Sequence, residues 1–255
     1  MEQAGGKAVK GPVFVLGVPS VGVSLLATSL TAGDEFWCSG ELHVLYGLVG
    51  PDEEGKSKLY KLFEQASLND SFWLSRNKVL YPEFAESMGR GLDSLVASRA
   101  GGKRWVDASP ENIWIAADVA LLFPRAQFIS VVRGPRSSIA EMLQGLNREP
   151  TNAEFRSACE TWSSYAARAV EFRRAQTPNV FELRYEDLGD LTSSVVRRLV
   201  GFLGAKRDRP VSQFLSENKE AFVQTETSNW DEAKRAIFLD VVGESMKGLG
   251  YEETD

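Results

Sequence analysis

Residues Val13–Leu30 read VFVLGVPSVGVSLLATSL, and this stretch decides the fold. Its first four residues are apolar enough to form a buried strand. Gly17, Pro19 and Gly22 then interrupt the chain, and from Ser24 onward the leucines recur on one side of a helix. The stretch therefore predicts a strand, a glycine-rich loop and a helix in direct succession.

A loop of this kind is suited to binding an anion, because its backbone N–H groups point inward and the helix N-terminus adds partial positive charge. The spacing Gly17-x-x-x-x-Gly22-Val23-Ser24 is that of the ATP-binding P-loop, except that Val23 stands where the P-loop has lysine. We expect a phosphate cradle that grips a β/γ-phosphate pair poorly. A tight βα turn without a ligand is the alternative. The cradle residues would be Gly17, Pro19, Ser20, Val21, Gly22, Val23 and Ser24.

Three more segments have the short, β-rich composition of strands, and helical patterns lie between them. We expect strands at Arg104–Val106, Gln127–Val132 and Val180–Leu183, and helices at Lys58–Gln65, Glu83–Arg99, Asn112–Leu122, Ser137–Leu146, Ala153–Arg174 and Thr192–Leu203. This alternation predicts an α/β fold, a P-loop-like doubly wound parallel sheet flanked by helices. We expect a single domain over residues 1–255, with residues 1–10 disordered and residues 33–81 forming a lid or an acceptor-site insertion.

The composition narrows the class of protein. The chain has 255 residues, of which 43% are hydrophobic, and its formal net charge of −6 argues against a nucleic-acid partner. Two cysteines and a single histidine, His43, suggest neither a disulfide framework nor a multi-histidine metal centre. No apolar run reaches the roughly 18 residues that span a bilayer, and the first residues lack the apolar core of a signal peptide. We therefore expect a cytoplasmic protein with no membrane partner.

A second strand–loop–helix corner is predicted at Phe128–Leu143, which reads FISVVRGPRSSIAEML. The strand delivers Arg133 to its C-terminal end, Gly134 and Pro135 turn the chain, and Ser137 or Ser138 can cap the next helix. The planar guanidinium of an arginine at such a corner can bind two oxygens of a phosphate at once. An exposed surface arginine is the simpler alternative.

Taken in order along the chain, these segments resemble the sulfotransferase family, whose sulfuryl donor is 3′-phosphoadenosine 5′-phosphosulfate (PAPS). GVPSVGVSLL is similar to the family's GxPRSGTTLL, which holds the 5′-phosphosulfate. FISVVRGPRSSIAEML is similar to FIxVVRDPRDVxxSML, which holds the 3′-phosphate. The pieces DASPEN, LFPRAQF, RYEDL, FLG and LGY follow in the family's order, from Asp107 to Tyr251. The layout is most similar to bacterial, Golgi-type and tyrosylprotein sulfotransferases.

The resemblance implies a sulfotransferase fold with PAPS or its product PAP as cofactor and no metal. It also implies donor-binding positions beyond the cradle, at Arg133, Ser137, Glu141 and Arg184. The acceptor partner would be a hydroxyl or amine of a small molecule, such as a natural product or a carbohydrate, and a homodimer is left open.

Several positions depart from the family pattern. Ser20 replaces an arginine or lysine, Val21 and Val23 replace hydroxyl residues, Ala108 replaces a lysine, and Glu141 replaces a serine eight residues after Arg133. Each charge-assisted hydrogen bond contributes on the order of 1.5–3 kcal/mol, so these changes weaken donor binding unless other cations substitute. The candidates for substitution are Lys103, Arg104, Arg136, Arg148 and Lys219.

The catalytic base is expected just after the cradle helix, in the segment WCSGELHVL. Related enzymes use a glutamate in a GE-type motif, which favours Glu41, with His43 next. In an extended segment, residues two apart face the same way. The alternative is a solvated Glu41 and a partly buried, hydrogen-bonded His43. Aromatic residues that either line an acceptor pocket or belong to the core are Phe36, Trp37, Tyr46, Phe72, Trp73, Tyr81 and Trp114.

Three functional hypotheses follow. The first is a PAPS-dependent sulfotransferase that acts on a small molecule. The second is a protein of the same fold with altered, non-sulfating chemistry, because donor-binding cations are missing. The third is a non-catalytic nucleotide or phosphate binder. A P-loop kinase ranks below these, because Val23 replaces the lysine and no metal-binding acidic strand end is evident. RYEDL is interpreted as a scaffold turn in which Arg184 pairs with Glu186 or Asp187.

Overall fold

A five-stranded sheet with all strands parallel organises the molecule, in the order β2-β3-β1-β4-β5. The computed structural model describes residues 10–18, 22–38, 40–175, 177–189, 194–222 and 230–252. The strands are β1 (Val13–Gly17), β2 (Phe36–Cys38), β3 (Arg104–Asp107), β4 (Gln127–Val132) and β5 (Val180–Arg184). This confirms the α/β fold with a parallel sheet flanked by helices.

Helices fill the connections between the strands. In chain order they are α1 (Val23–Thr31), α2 (Val44–Val49), α3 (Lys58–Ser67), α4 (Trp73–Arg76), α5 (Tyr81–Ala97), α6 (Ala116–Leu122), α7 (Pro135–Leu143), α8 (Asn152–Ala175), α9 (Val195–Leu203), α10 (Arg209–Glu217) and α11 (Glu232–Gly248). Short 3-10 turns occupy Pro110–Ile115, Thr177–Asn179, Tyr185–Leu188 and Lys219–Phe222. No helix within the described ranges has the length and apolarity to cross a membrane.

The central strand β1 is buried on both faces, which explains its unbroken apolar sequence. Val13 and Val15 pack into one core cluster, on the face of the sheet that includes α1 and α9. Phe14 and Leu16 pack into a second cluster, on the opposite face. Because successive residues of a strand point to opposite faces, a continuous apolar run is what a strand covered on both sides requires.

Several elements differ from the sequence expectation. The segment expected as a lid or insertion contributes an edge strand, β2, before its short helices begin. The single helix expected at Asn112–Leu122 is a 3-10 turn followed by α6, and α10 and α11 were not predicted. Residues 1–9 lie outside the described part of the chain. Lys10 is described, and its ammonium donates to the carbonyl of Leu203 at 2.9 Å.

Candidate active site

The two predicted anion-binding corners lie side by side at the edge of the sheet formed by the carboxyl ends of its strands. β1 and β4 are hydrogen-bonded neighbours, and Gly17 at the end of β1 is in register with Val131 near the end of β4. The chain leaves β1 toward β2 on one side and later returns to add β4 on the other, so this edge holds a topological switch point. Ligands of open α/β sheets bind at such a point, beyond the carboxyl ends of the strands.

The β1 corner presents its helix N-terminus through Gly22. This residue has φ +64° and precedes α1 without a side-chain cap, so the first N–H groups of the helix receive no capping side chain. Val23 is buried in the core, which leaves only its backbone N–H to face a ligand, whereas the side chain of Ser24 is exposed. Pro19, Ser20 and Val21, expected in the cradle, lie outside the described residues.

Tyr185 connects the two corners. A Cβ atom placed on Gly22 would lie 2.4 Å from Cε2 of the Tyr185 ring. The guanidinium carbon of Arg133 lies 4.7 Å from the centroid of the same ring, within the range of a cation–π contact. Burial raises the pKa of the Tyr185 phenol. Tyr185 belongs to the RYEDL segment, which the sequence indicated only as a scaffold turn, so its place between the corners was missed.

At the β4 corner, the side chain of Arg133 is enclosed and already paired. It is 3% exposed, and its Nη1 binds the carboxylate of Glu141 on α7, whose side chain is 34% exposed. The carbonyl of Arg133 accepts a hydrogen bond from Nε1 of Trp162 at 3.2 Å. Ser137 and Ser138 are both buried, and the Ser138 hydroxyl has no hydrogen-bond partner in the described structure. The structure therefore places Glu141 on Arg133, where it neutralises the cation expected to bind phosphate.

A second carboxylate, that of Glu186, also serves this corner. Its Oε1 accepts the N–H of Gly134 at 2.7 Å, and its Oε2 accepts the hydroxyl of Tyr251 at 3.1 Å. The guanidinium of Arg184 donates to the carbonyl of Gly250 at 2.8 Å and lies 4.6 Å from the ring centroid of Tyr251. Arg184 thus fastens the C-terminal segment to β5, and its expected role in donor binding stays a prediction.

The segment with the expected catalytic base lies beyond the carboxyl end of β3. A third residue, Glu111, contacts it there. Nε2 of His43 is 3.1 Å from a carboxylate oxygen of Glu41, and Nδ1 is 3.2 Å from one of Glu111. All three side chains are 38–54% exposed, although the Oε2 atom of Glu111 that faces His43 is itself buried. His43 has φ +51°, an unusual backbone conformation for a residue with a side chain. Glu111 was not singled out from the sequence, because the 3-10 turn alone brings it there.

A buried carboxylate holds this segment in place. Asp107, at the end of β3, is fully buried and accepts hydrogen bonds from the N–H and hydroxyl of Ser109 at 2.9 and 2.6 Å. Its other oxygen accepts the side-chain amide of Asn112 at 2.9 Å. The Ser109 hydroxyl in turn accepts the N–H of His43 at 3.1 Å. The segment with Glu41 and His43 is thereby fixed to the end of the sheet.

A cavity of about 260 Å³ is lined by residues of α2, the 3-10 turn Pro110–Ile115, α6 and α8. Tyr46, one helical turn beyond His43 in α2, and Trp114, one 3-10 turn beyond Glu111, both line it. Pro51, Ser57, Asp118 and Arg168 complete the polar and apolar wall. Of the other expected acceptor aromatics, Phe36 is in the core, Phe72 and Trp73 are exposed, and Tyr81 donates to Asp118 at 2.9 Å.

The cations expected to compensate for the missing charges are distributed over the molecule. Lys103 and Arg104 lie at the start of β3, at the opposite edge of the sheet, and Arg104 donates to the carbonyls of Gly11 and Leu203. Arg148 pairs with Glu154 at 2.6 Å on the surface. Arg136, on α7, lies 4.6 Å over the ring of Trp230. Lys103 and Arg104 therefore lie at the amino end of β3, away from the two corners, and Arg148 is already paired with Glu154.

Within the described ranges, no group of three or more His, Cys, Asp and Glu side chains is placed to hold a metal ion. The larger cavities, of about 400 and 530 Å³, contain Pro124 and lie by α5 and α6, away from the carboxyl ends of the strands. The two corners lie at the carboxyl ends of β1 and β4, and the group of Glu41, His43 and Glu111 lies beyond the carboxyl end of β3, which neighbours β1.

Comparison with known proteins gives one family. The model of the sulfotransferase family matches residues 12–209. No protein of curated function matches the sequence. Among solved structures, the sulfotransferase domain from the curacin biosynthetic pathway aligns with a TM-score of 0.59 at 19% identity, over 96% of this chain and 99% of that domain.

Two further structures show the same fold. The sulfotransferase domain of the Synechococcus PCC 7002 olefin synthase aligns with a TM-score of 0.57 at 17% identity, over 98% of this chain and 99% of that domain. Mouse sulfotransferase SULT7A1, solved in complex with PAP, aligns with a TM-score of 0.52 at 12% identity, over 94% of this chain and 86% of that one.

Proposed function

This chain belongs to the sulfotransferase family, and from that premise we propose that it transfers a sulfuryl group from an adenosine phosphosulfate donor of the PAPS type to a hydroxyl or amine of a small molecule. The observation that carries the proposal is the adjacency of the two corners, joined by Tyr185, with Glu41 and His43 at the same strand edge. A donor held at the β1 corner would present its sulfuryl group along that edge.

The β1 corner supplies what a phosphosulfate needs from a backbone. The N–H groups at the start of α1, which no described side chain caps, and the partial charge of the helix N-terminus favour an anion. The β4 corner fits less well, because the carboxylate of Glu141 already binds Arg133. The donor's 5′ end is therefore the better matched part of the ligand.

His43 and Glu41 supply the proton transfer in this proposal. The acceptor must lose a proton as its oxygen or nitrogen attacks the sulfur, and a base within hydrogen-bond reach of that atom accelerates the step about 10²–10⁴-fold. Glu111 lies against one ring nitrogen of His43 and Glu41 against the other. Both ring nitrogens of His43 therefore face carboxylates, so in this proposal Glu41 accepts the proton and His43 holds that carboxylate in place.

The acceptor class follows from the cavity lined by Tyr46 and Trp114, which lie one turn beyond His43 and Glu111 in the chain. A volume of about 260 Å³ is smaller than the roughly 300–1,000 Å³ of a site for a drug-sized ligand. Its walls include the aromatic rings of Tyr46 and Trp114 and the guanidinium of Arg168, 5.8 Å from the Trp114 ring centroid. We therefore expect a small acceptor with a planar or apolar body, and not a long polyanionic chain.

The test combines binding with transfer. Radiolabelled PAPS and its 3′-dephospho form are each offered with a panel of small phenols, alcohols and amines, and transfer is compared between the wild type and Glu41→Gln, His43→Gln and the double variant. We expect transfer by the wild type and a fall of about 10²-fold or more in kcat for the double variant. Absence of transfer from either donor to any acceptor would contradict the proposal.

A second candidate is a protein of this fold that binds a nucleotide or phosphate without sulfating anything. The pairing of Glu141 with Arg133, together with the neutral residues Ser20 and Ala108, favours it. In that case the Glu41/His43 double variant binds nucleotide as the wild type does and neither protein transfers sulfate. Restoring charge by Ser20→Arg and Ala108→Lys raises the affinity for PAPS if these positions face the nucleotide.

A further inference from the structure

The β4 corner carries its own anions. Arg133 is the first residue after β4, and Glu141 lies two helical turns into α7. The helix therefore places the carboxylate of Glu141 against the guanidinium of Arg133. One face of that guanidinium is covered by the ring of Tyr185. The N–H of Gly134, just before α7, donates to the carboxylate of Glu186 at 2.7 Å and is therefore not offered to a ligand.

The charges around this corner disfavour the binding of a phosphate dianion. Glu141, Glu186 and Asp187 are acidic, whereas Arg133, Arg136 and Arg184 are basic. Arg136 lies over the ring of Trp230, and Arg184 is engaged with the carbonyls of Leu249 and Gly250. A phosphate at Arg133 would have to displace Glu141 from an arginine that is only 3% exposed, or share it at close range with a like charge. Both cost free energy, since opposed charges at short distance in a poorly solvated site interact strongly.

We propose that Glu141 is a specificity-determining residue whose carboxylate takes the place of a second phosphate, so that the site selects an adenine nucleotide with an anionic group at its 5′ end only. This inference rests on the proposed function. The donor class would be adenosine 5′-phosphosulfate, without the 3′-phosphate of PAPS. A less charged donor also suits a β1 loop and a β3 end that carry Ser20 and Ala108 in place of cations.

Binding of two unreactive nucleotides isolates the contribution of the 3′-phosphate. Calorimetric dissociation constants are measured for adenosine 5′-phosphate and adenosine 3′,5′-bisphosphate with the wild type, Glu141→Gln and Glu141→Ser. For the wild type we expect the 3′-phosphate to weaken binding about tenfold or more. For both variants we expect the ratio to reverse, because the phosphate no longer competes with the Glu141 carboxylate for the guanidinium of Arg133.

A matched control removes a carboxylate from a different arginine. Glu86 pairs with Arg90 at 3.1 Å on the exposed surface of α5, so Glu86→Ser should leave the nucleotide ratio unchanged. Thermal unfolding follows whether the variants fold. If Glu141→Ser lowers the melting temperature, adenosine 3′,5′-bisphosphate should restore more of it than adenosine 5′-phosphate does, because binding to the folded state alone is stabilising.

The outcomes separate this inference from the proposed function. Tighter binding of the bisphosphate by the wild type, or a ratio that Glu141→Gln and Glu141→Ser leave unchanged, overturns the selectivity role of Glu141 while leaving sulfuryl transfer in place. A reversed ratio without transfer from any donor supports the selectivity and contradicts the enzyme. Absence of binding by either nucleotide to every variant overturns both.

Discussion

The ring of Tyr185 lies against the backbone of Gly22, so close that a Cβ at residue 22 would come within 2.4 Å of Cε2. This contact joins the turn after β5 to the turn after β1, two segments far apart in the sequence. The glycine is therefore required twice, once for its φ of +64° and once for the space that its missing side chain leaves.

Gly22→Ala should destabilise the protein and loosen the β1 corner. The left-handed conformation costs a residue with a side chain about 1–2 kcal/mol, and the overlap with Tyr185 adds about 1–3 kcal/mol. We expect the free energy of unfolding in urea to fall by about 2–5 kcal/mol. Gly33→Ala is the control, because nothing lies within 4 Å of its added methyl group and its φ is not positive. Equal losses in the two variants would contradict this account.

Glu111→Gln should lower turnover through His43 while leaving substrate binding nearly unchanged. Glu111 acts in the proposed reaction as a positioning residue, since it touches His43 and not the sulfuryl group. We expect kcat to fall about tenfold with KM within about twofold of the wild type. Glu53→Gln, an exposed loop glutamate, serves as the control. If Glu111→Gln has no effect in a background of His43→Gln, the two residues act as one unit.

The two cysteines should react with thiol reagents at very different rates. Burial raises the pKa of the Cys38 thiol, and the charge of Asp107 adds to the effect. Burial raises the pKa of Cys159 to about 12, and that side chain is fully buried. Because the thiolate is the reactive form, Cys38 should label slowly at pH 8 and faster as the pH rises, whereas Cys159 should label only after unfolding.

Mass spectrometry of the labelled protein assigns the sites. Cys38→Ser should take up no label in the native state and one equivalent in denaturant. Labelling of native Cys38→Ser at a rate similar to that of the wild type would show that Cys159 is reachable, against the burial described above.

Tyr251→Phe should reduce the loss of stability at alkaline pH. Burial and the hydrogen bond to Glu186 raise the pKa of the Tyr251 phenol above its usual value of 10.0. Above about pH 10, therefore, the unfolded chain releases this proton while the folded protein keeps it, and the free energy of unfolding falls as the pH rises. Urea unfolding at pH 8 and pH 10.5 measures the difference.

At pH 8 the same substitution removes the hydrogen bond to Glu186 and should cost about 1 kcal/mol. The drop between the two pH values should be smaller in Tyr251→Phe than in the wild type. An equal or larger drop would mean that Tyr251 ionises normally in the folded protein.

The sequence predicts the parts of this structure that depend on local pattern. β1, β3, β4 and β5 are recovered within about one residue, because buried parallel strands are continuous apolar or β-branched runs. β2 was missed because it is three residues long and is defined by its pairing with β3. Helix α11 was missed as well, since its apolar residues do not form a clear stripe.

The candidate site depends more on long-range contacts, and there the sequence is less informative. Position 141 was identified from the sequence as a departure, but only the fold places its carboxylate on Arg133. Tyr185 and Glu111 carry no local signal for their roles, because each reaches the site through a turn that follows a strand other than β1. Patterns along the chain therefore predict the two corners. Only the tertiary structure shows that Glu141 neutralises Arg133 and that Tyr185 connects the corners.

The sheet order has a consequence for how the chain is made. The first described strand, β1, is the central one, and its partner strands β3 and β4, which begin at Arg104 and Gln127, emerge from the ribosome much later. At roughly 5–20 residues per second, an apolar strand waits several seconds with both edges unpaired. A nascent chain that stalls before β4 leaves the apolar strand β1 exposed. Fragments that end before Gln127 should therefore aggregate and bind chaperones, whereas the full chain buries β1 at the centre of the sheet.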